Sequence, residues 1–132
     1  MNKLLFLLLS NIDLDITASK VESIIFKQLL LTKLFLKEFT KRDKGCILNV
    51  ASTAAFTPGP LMASYYATKS YLFSLSSSIY EELRIRKSNV KIKVLCPGPV
   101  NTNFNNKLGI KFGVKALTSN YVVKYTLKKL RR

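Results

Sequence analysis

An α/β fold with a parallel sheet follows from three features of this 132-residue sequence. Long stretches with apolar residues near the helical period alternate with two short, mostly apolar runs. The first run is preceded by Gly45, and Pro97-Gly98-Pro99 cuts the second off sharply. Two strands joined by a helical crossover imply a parallel pair in a right-handed unit.

The elements follow in chain order. Ser19 to Lys41 reads as a long helix, because Ile24, Ile25, Leu29, Leu31, Phe35 and Phe39 recur near its period between lysines. Arg42-Asp43-Lys44-Gly45 supplies a polar stop ending in Gly. Cys46 to Ala51 suits a buried parallel strand. Ser52 to Ser64 reads as a loop marked by Pro58-Gly59-Pro60. Tyr65 to Lys87 is a second helix with Leu72, Leu75, Ile79 and Leu83 on one stripe and Glu81 and Glu82 facing water. Val90 to Cys96 is a second strand, and Asn101 to Leu117 is irregular. Ser119 is expected to cap a last helix that buries Val123, Leu127 and Leu130. Two strands are too few for a stable sheet, so further strands are expected from elsewhere. No linker marks a second domain.

Composition excludes whole classes of chemistry. With 48% apolar residues the chain can bury a core. With 0 His it has no Ser-His-Asp triad and no His-ligated zinc or haem. Its 2 Cys cannot build a thiolate zinc site. Cys46 starts one strand and Cys96 ends the other, roughly 15–20 Å apart at ~3.3 Å per residue, too far for a disulfide. Both are expected to be small buried hydrophobes in a reducing compartment, the cytoplasm.

The net charge of +15 admits nucleic acid, an anionic membrane or an acidic small molecule as partner. The lysines punctuate apolar runs, as at Lys27, Lys33, Lys37 and Lys41, which reads as solvated helix faces. Only Lys128-Lys129-Leu130-Arg131-Arg132 forms a run, suited to a helix C-terminus. No zinc knuckle, RNA-binding sheet motif or helix-turn-helix signal is present, so no specific nucleic-acid partner is expected. Leu4 to Leu9 is shorter than a secretory core and is expected to be a buried segment.

Chemistry must therefore run on Tyr, Lys, Ser, Asn or acidic groups. Tyr65 and Lys69 stand at i and i+4, on one face of a helix. A phenol ordinarily titrates near 10. A cation at ~4 Å contributes about 4 kcal/mol at an effective dielectric of ~20, so the phenol is expected to move toward neutrality and to exchange protons with a substrate oxygen. Spacing alone is weak evidence: chance gives about one such pair here, and Tyr125 with Lys129 is a decoy. Context separates them. Ser52 lies thirteen residues before Tyr65 at the carboxyl end of a strand, where open α/β sheets bind ligands. The matching position before Tyr125 is Phe112, in a loop.

Three ordered segments carry a resemblance. Asn49-Val50-Ala51-Ser52-Thr53-Ala54-Ala55, Tyr65-Tyr66-Ala67-Thr68-Lys69 and Cys96-Pro97-Gly98-Pro99-Val100-Asn101-Thr102 resemble the short-chain dehydrogenase/reductase family, from about Ile12 onward. The resemblance implies a partial Rossmann-like doubly wound parallel sheet and hydride transfer between NAD or NADP and a carbonyl or alcohol. By motif, Tyr65 would be the general acid/base, Lys69 would lower its pKa and bind the nicotinamide ribose, and Ser52 would hold the substrate oxygen. Pro97, Gly98 and Val100 would lie along the cofactor, with Thr102 near its nicotinamide or phosphate end. Residues 101–117 would contribute to a substrate lid.

The sequence also departs from that family. Gly45, Gly59, Gly98, Gly109 and Gly113 form no Gly-x-x-x-Gly-x-Gly phosphate loop, and no Asn-Ala-Gly element is present. The position of the family's relay Asn holds Asp15, and Lys20 to Gln28 reads as an extra stretch. The expectation is one partial domain over residues 1–132, an oxidoreductase impaired by truncation. The alternatives are a non-catalytic fragment that self-associates through its open sheet edge, and a basic binder of nucleic acid or membrane surfaces.

Overall fold

Helix α1 spans Ala18–Lys41 in the computed structural model, which describes residues 18–59, 62–102 and 115–130, with side chains from residue 25 onward. Strand β1 (Cys46–Val50), a 3₁₀ turn (Thr53–Phe56), helix α2 (Ala63–Ile85) and strand β2 (Lys91–Leu95) follow. Strands β3 (Val100–Asn101) and β4 (Leu117–Thr118) lead into helix α3 (Ser119–Leu130). Helix, strand, helix, strand, helix is the order the sequence predicts. The stretch Lys20 to Gln28 continues α1 as regular helix. Asp15, Leu4 to Leu9, Pro60, residues 103–114 of the expected lid and Arg131-Arg132 lie outside the described residues.

β1 and β2 pair in parallel, with Cys46 opposite Lys91 and Val50 opposite Leu95. The crossover between them is α2. α1 and α2 touch each other and both touch β1, and α2 also packs on β2. Ile47, Ile79, Leu83, Val90 and Ile92 form the core, with Phe35, Leu36, Phe39 and Leu75 against it. Leu72, fully buried, sits on the same stripe of α2. Each such side chain contributes about 1.5–3 kcal/mol on leaving water. Between the layers the Asn49 amide donates to Ser76 Oγ at 2.9 Å, and Ser76 Oγ donates to the Leu72 carbonyl. This buried pair fixes how far α2 slides along β1, because a slip would strand two polar groups.

Both long helices end on a left-handed residue other than Gly. Asp43 (φ 47°) and Lys87 (φ 53°) reverse the chain, and Lys44 and Ser88 amides reach back to the Phe39 and Leu83 carbonyls. Gly45 is therefore not the reversal residue. Its role is steric, since a Cβ there would collide with the Phe39 ring. The Asp43 carboxylate then accepts from Ser88 Oγ, Asn89 N and Asn89 Nδ2, which ties the two turns together and lowers its pKa.

Five other expectations change. Among the described side chains, the buried positions of α1 are Gln28 and Thr32, whereas Leu29 is exposed. Helix α3 is capped by Thr118, whose Oγ1 accepts from Tyr121 N, not by Ser119. Its buried residue is Thr126, and Val123 and Leu127 are each 38% exposed. The segment expected to be irregular contains a short parallel pair, Val100–Asn101 with Leu117–Thr118. Cys46 is exposed at the open start of β1, and both cysteines are free, at opposite ends of the sheet. No described helix is long and apolar enough to cross a membrane.

Gln28 is 6% exposed and its Oε1 has no partner among the described residues. An orphaned buried acceptor costs about 1–3 kcal/mol. Gln28→Leu is expected to raise stability by about 1 kcal/mol, read as a higher urea midpoint at unchanged slope. A lower midpoint would show that the amide has a partner worth keeping.

Candidate active site

The site is assembled where β1 and β2 end. Past β1 the ladder runs on, with Ala51 N donating to Leu95 O at 2.7 Å and Thr53 N to Pro97 O at 3.0 Å. This extension carries Ser52 over the sheet's carboxyl end. Ser52 Oγ caps the 3₁₀ turn by accepting from Ala54 N at 3.2 Å, and it also donates to the Pro97 carbonyl at 3.5 Å. The turn is held to α2 by Ser70 Oγ donating to Ala55 O and by the Phe56 and Phe73 rings, edge to face at 4.8 Å.

α2 begins at Ala63, two residues earlier than expected, so Tyr65 and Lys69 both lie in its first two turns. Lys69 is 5% exposed, and its Nζ donates to the Val50 carbonyl at 3.2 Å. Its ammonium lies 5.7 Å from the centre of the Tyr65 ring. A hydrogen bond joins the Ser52 and Tyr65 side chains. The structure therefore brings Ser52, Tyr65 and Lys69 together at one end of the sheet. The decoy pair behaves differently: Lys129 sits 5.7 Å from the Tyr125 ring, but both are exposed on α3.

Electrostatics depart from the expectation for the phenol. Burial raises the pKa of Tyr65, the Ser52 hydrogen bond works against that rise, and Tyr66 adds to it. The Lys69 Nζ is held by the Val50 carbonyl, and burial governs the phenol. Burial also pulls Lys69 down to about 8, which Cys96 opposes. Here desolvation is the largest influence on both groups.

Cys96 is a member of this cluster that motif reasoning passed over. Burial raises its thiol, while the Ser52 backbone amide and the Lys69 charge act to lower it. The sequence did hold a signal, since parallel pairing with Val50 opposite Leu95 puts position 96 level with Ala51 and Ser52. Pro97, Gly98, Pro99 and Val100 continue from Cys96 as half-buried chain, with open space beside Gly98 where a side chain would stand. Thr102 is exposed at the end of β3, and its Oγ1 donates to Val100 O at 3.5 Å. A cavity of about 690 Å³ opens elsewhere, between residues 55–59 and the Tyr66 and Ser70 side of α2; neither Tyr65 nor Lys69 lines it. No group of metal-ligating side chains occurs among the described residues.

Comparison with known proteins bears on this arrangement. The bovine (Bos taurus) dehydrogenase/reductase SDR family member 4 is 37% identical over 79 residues, covering 60% of this chain and 28% of that protein. The mouse (Mus musculus) 17-beta-hydroxysteroid dehydrogenase type 3 is 35% identical over 98 residues, covering 74% of this chain and 30% of its own length. Among solved structures, a short chain dehydrogenase from Burkholderia cenocepacia in complex with NADP superposes with TM-score 0.73 at 22% identity, over 95% of this chain and 50% of that one. A short-chain dehydrogenase from Sphingobium yanoikuyae in complex with NADPH gives 0.72 at 25% identity, over 91% and 48%. The fold is thus part of a Rossmann-like α/β unit, and the chain spans less than a third of these relatives and about half of these structures. Residues 11–123 match the family described as short chain dehydrogenase, and the chain belongs to that family.

Proposed function

We propose that this chain is a partial domain carrying the proton-transfer groups of an oxidoreductase that uses NAD or NADP and acts on a carbonyl or alcohol. The observation that carries the reading is the hydrogen bond between Ser52 and Tyr65 beside a buried Lys69. In the reducing direction Tyr65 donates its phenolic proton to the substrate oxygen, and the Ser52 hydroxyl hydrogen-bonds that oxygen and aligns it. The phenolate left behind is disfavoured by burial and supported by the Ser52 hydroxyl. In the oxidising direction the proton returns to Tyr65. The cofactor, when bound, gives or takes the hydride.

The chain's own groups fit one end of such a cofactor. Lys69 spends one N–H on Val50 and keeps two more for ribose hydroxyls. The open space at Gly98 leaves room for a flat ring along Pro97 to Val100. Thr102, exposed beyond them, adds a hydroxyl. The phosphates find no glycine-rich helix start in this sequence, and that start is their main electrostatic anchor. The NADP-bound and NADPH-bound relatives support a nicotinamide cofactor. A cytoplasmic setting belongs to the same reading, supported by two free thiols at opposite ends of the sheet.

A second reading is favoured by the sheet itself. Among the described residues β1 has β2 as its single strand neighbour, so its other edge carries backbone groups open to pairing. Self-association through that edge would leave the Ser52, Tyr65 and Lys69 cluster without turnover.

Titration of the isolated chain with NADPH or NADH is expected to give no saturable fluorescence change. A chimera that joins the glycine-rich N-terminal half of the NADP-bound Burkholderia relative to this chain is expected to bind NADPH and to reduce members of an aldehyde and ketone panel. Tyr65→Phe in that chimera loses at least about 100-fold in kcat. A folded, NADPH-binding chimera indifferent to Tyr65→Phe would remove Tyr65 from the chemistry. Light scattering of the isolated chain is expected to show concentration-dependent association; a monomer that melts cooperatively would rule out the open edge as an association site.

A further inference from the structure

The positive charge is far less evenly spread than the whole-chain count suggests. After Glu82 the sequence contains no Asp or Glu, and residues 83–132 carry 13 Lys and Arg. Among the described residues beyond Arg84 none forms an ion pair, since the two that exist are Lys41 with Glu38 and Arg84 with Glu81. The described cations from Arg86 onward, Lys93 aside, are exposed, and no carboxylate pairs with them.

The fold gathers them. Lys93 on β2 donates its Nζ to the Lys129 carbonyl at 2.7 Å, which closes the C-terminal turn of α3 with a cation and ties the helix to the strand. Lys91 stands exposed on the same side of β2. The outer surface of α3 then shows three rows, each an i, i+4 pair. Lys124 and Lys128 form the middle row, both exposed. Tyr121 and Tyr125 flank it on one side with rings stacked at 6.3 Å, and Val123 and Leu127 flank it on the other. Thr126 faces inward.

We propose that this β2–α3 surface docks on an anionic lipid bilayer, a role beyond the oxidoreductase reading and independent of it. The rows decide the class of partner. Phosphates of a nucleic acid would engage the lysines and leave Val123 and Leu127 in water. A bilayer interface takes all three rows: lysines meet headgroup phosphates and carboxylates, tyrosines occupy the boundary, and the aliphatic pair reaches the first methylenes. A continuous stretch without acidic residues also suits a negatively charged sheet, because no group is repelled from it.

The test is co-sedimentation of the full chain with vesicles of phosphatidylcholine alone and of phosphatidylcholine mixed with phosphatidylserine. Binding is expected to the mixed vesicles only and to fall as salt is raised. Lys124→Glu with Lys128→Glu is expected to weaken it by roughly tenfold or more. The same charge change on α1, Lys27→Glu with Lys37→Glu, leaves binding in place. Val123→Ser with Leu127→Ser, which keeps the charge, weakens binding severalfold. Unchanged far-ultraviolet dichroism and melting check that each variant folds. Equal binding to neutral vesicles would overturn the proposal. So would equal losses for the α1 and α3 charge variants, an unaffected Val123/Leu127 variant, or retention on duplex DNA with none on vesicles.

Discussion

The carboxyl end of the sheet is organised around one ammonium group kept out of water. Lys69 is buried in the second turn of α2, and the contact that holds it is the Val50 carbonyl at the last residue of β1. A buried cation is costly unless its donors are met, so this bond constrains the whole junction. It requires α2 to cross β1 at one height, and the Asn49–Ser76 pair two turns further along enforces the same height. With the height set, the chain leaving β1 must carry Ser52 past the helix at the level of Tyr65. The Ala51 and Thr53 ladder bonds to Leu95 and Pro97 hold it there. Three side chains from two elements thus meet because one carbonyl and one amide pair leave α2 no other register.

The same burial sets the chemistry. Lys69 is drawn down to about 8 and Tyr65 is pushed up, so desolvation shifts both away from their charged forms. Spacing predicted the opposite for the phenol, as if the pair met in a polar medium. The Ser52 hydroxyl opposes the rise at Tyr65, and the Cys96 sulfur opposes the fall at Lys69. The cluster is therefore a set of buried titratable groups moved off their ordinary values. Such clusters mark functional sites more often than ordinary surface pairs do.

Much of this was legible in the sequence, and the failures have physical causes. Apolar periodicity located α1 and α2 because their buried stripes face one sheet, and Leu72, Ile79 and Leu83 lie where the pattern put them. The ladder brought Ser52 within reach of Tyr65, as the strand-end argument required. The periodic reading of α1 failed locally, since hydrophobicity points to Leu29 while the fold buries Gln28 and Thr32. Polar residues inside a helix face are invisible to such a pattern. On α3 the aliphatic residues were assumed to face inward, yet the helix has little to pack on among the described elements and leaves Val123 and Leu127 outside. Helix α1 ends at Lys41, where the polar stop put it, while the left-handed conformations of Asp43 and Lys87 are not advertised by composition. Cys96 was missed because membership of the cluster comes from strand register, a non-local property.

The central claim is that Lys69 is buried beside Tyr65 and Ser52, held by the end of β1. Heteronuclear NMR titration of the lysine side chains in ¹⁵N-labelled chain, with Lys69→Met to assign the resonance, tests it most directly. The account predicts that the Lys69 ammonium titrates near 8, well below the ordinary lysine value of about 10.4. A Lys69 resonance that titrates at that ordinary value would mean an exposed side chain and would contradict the account.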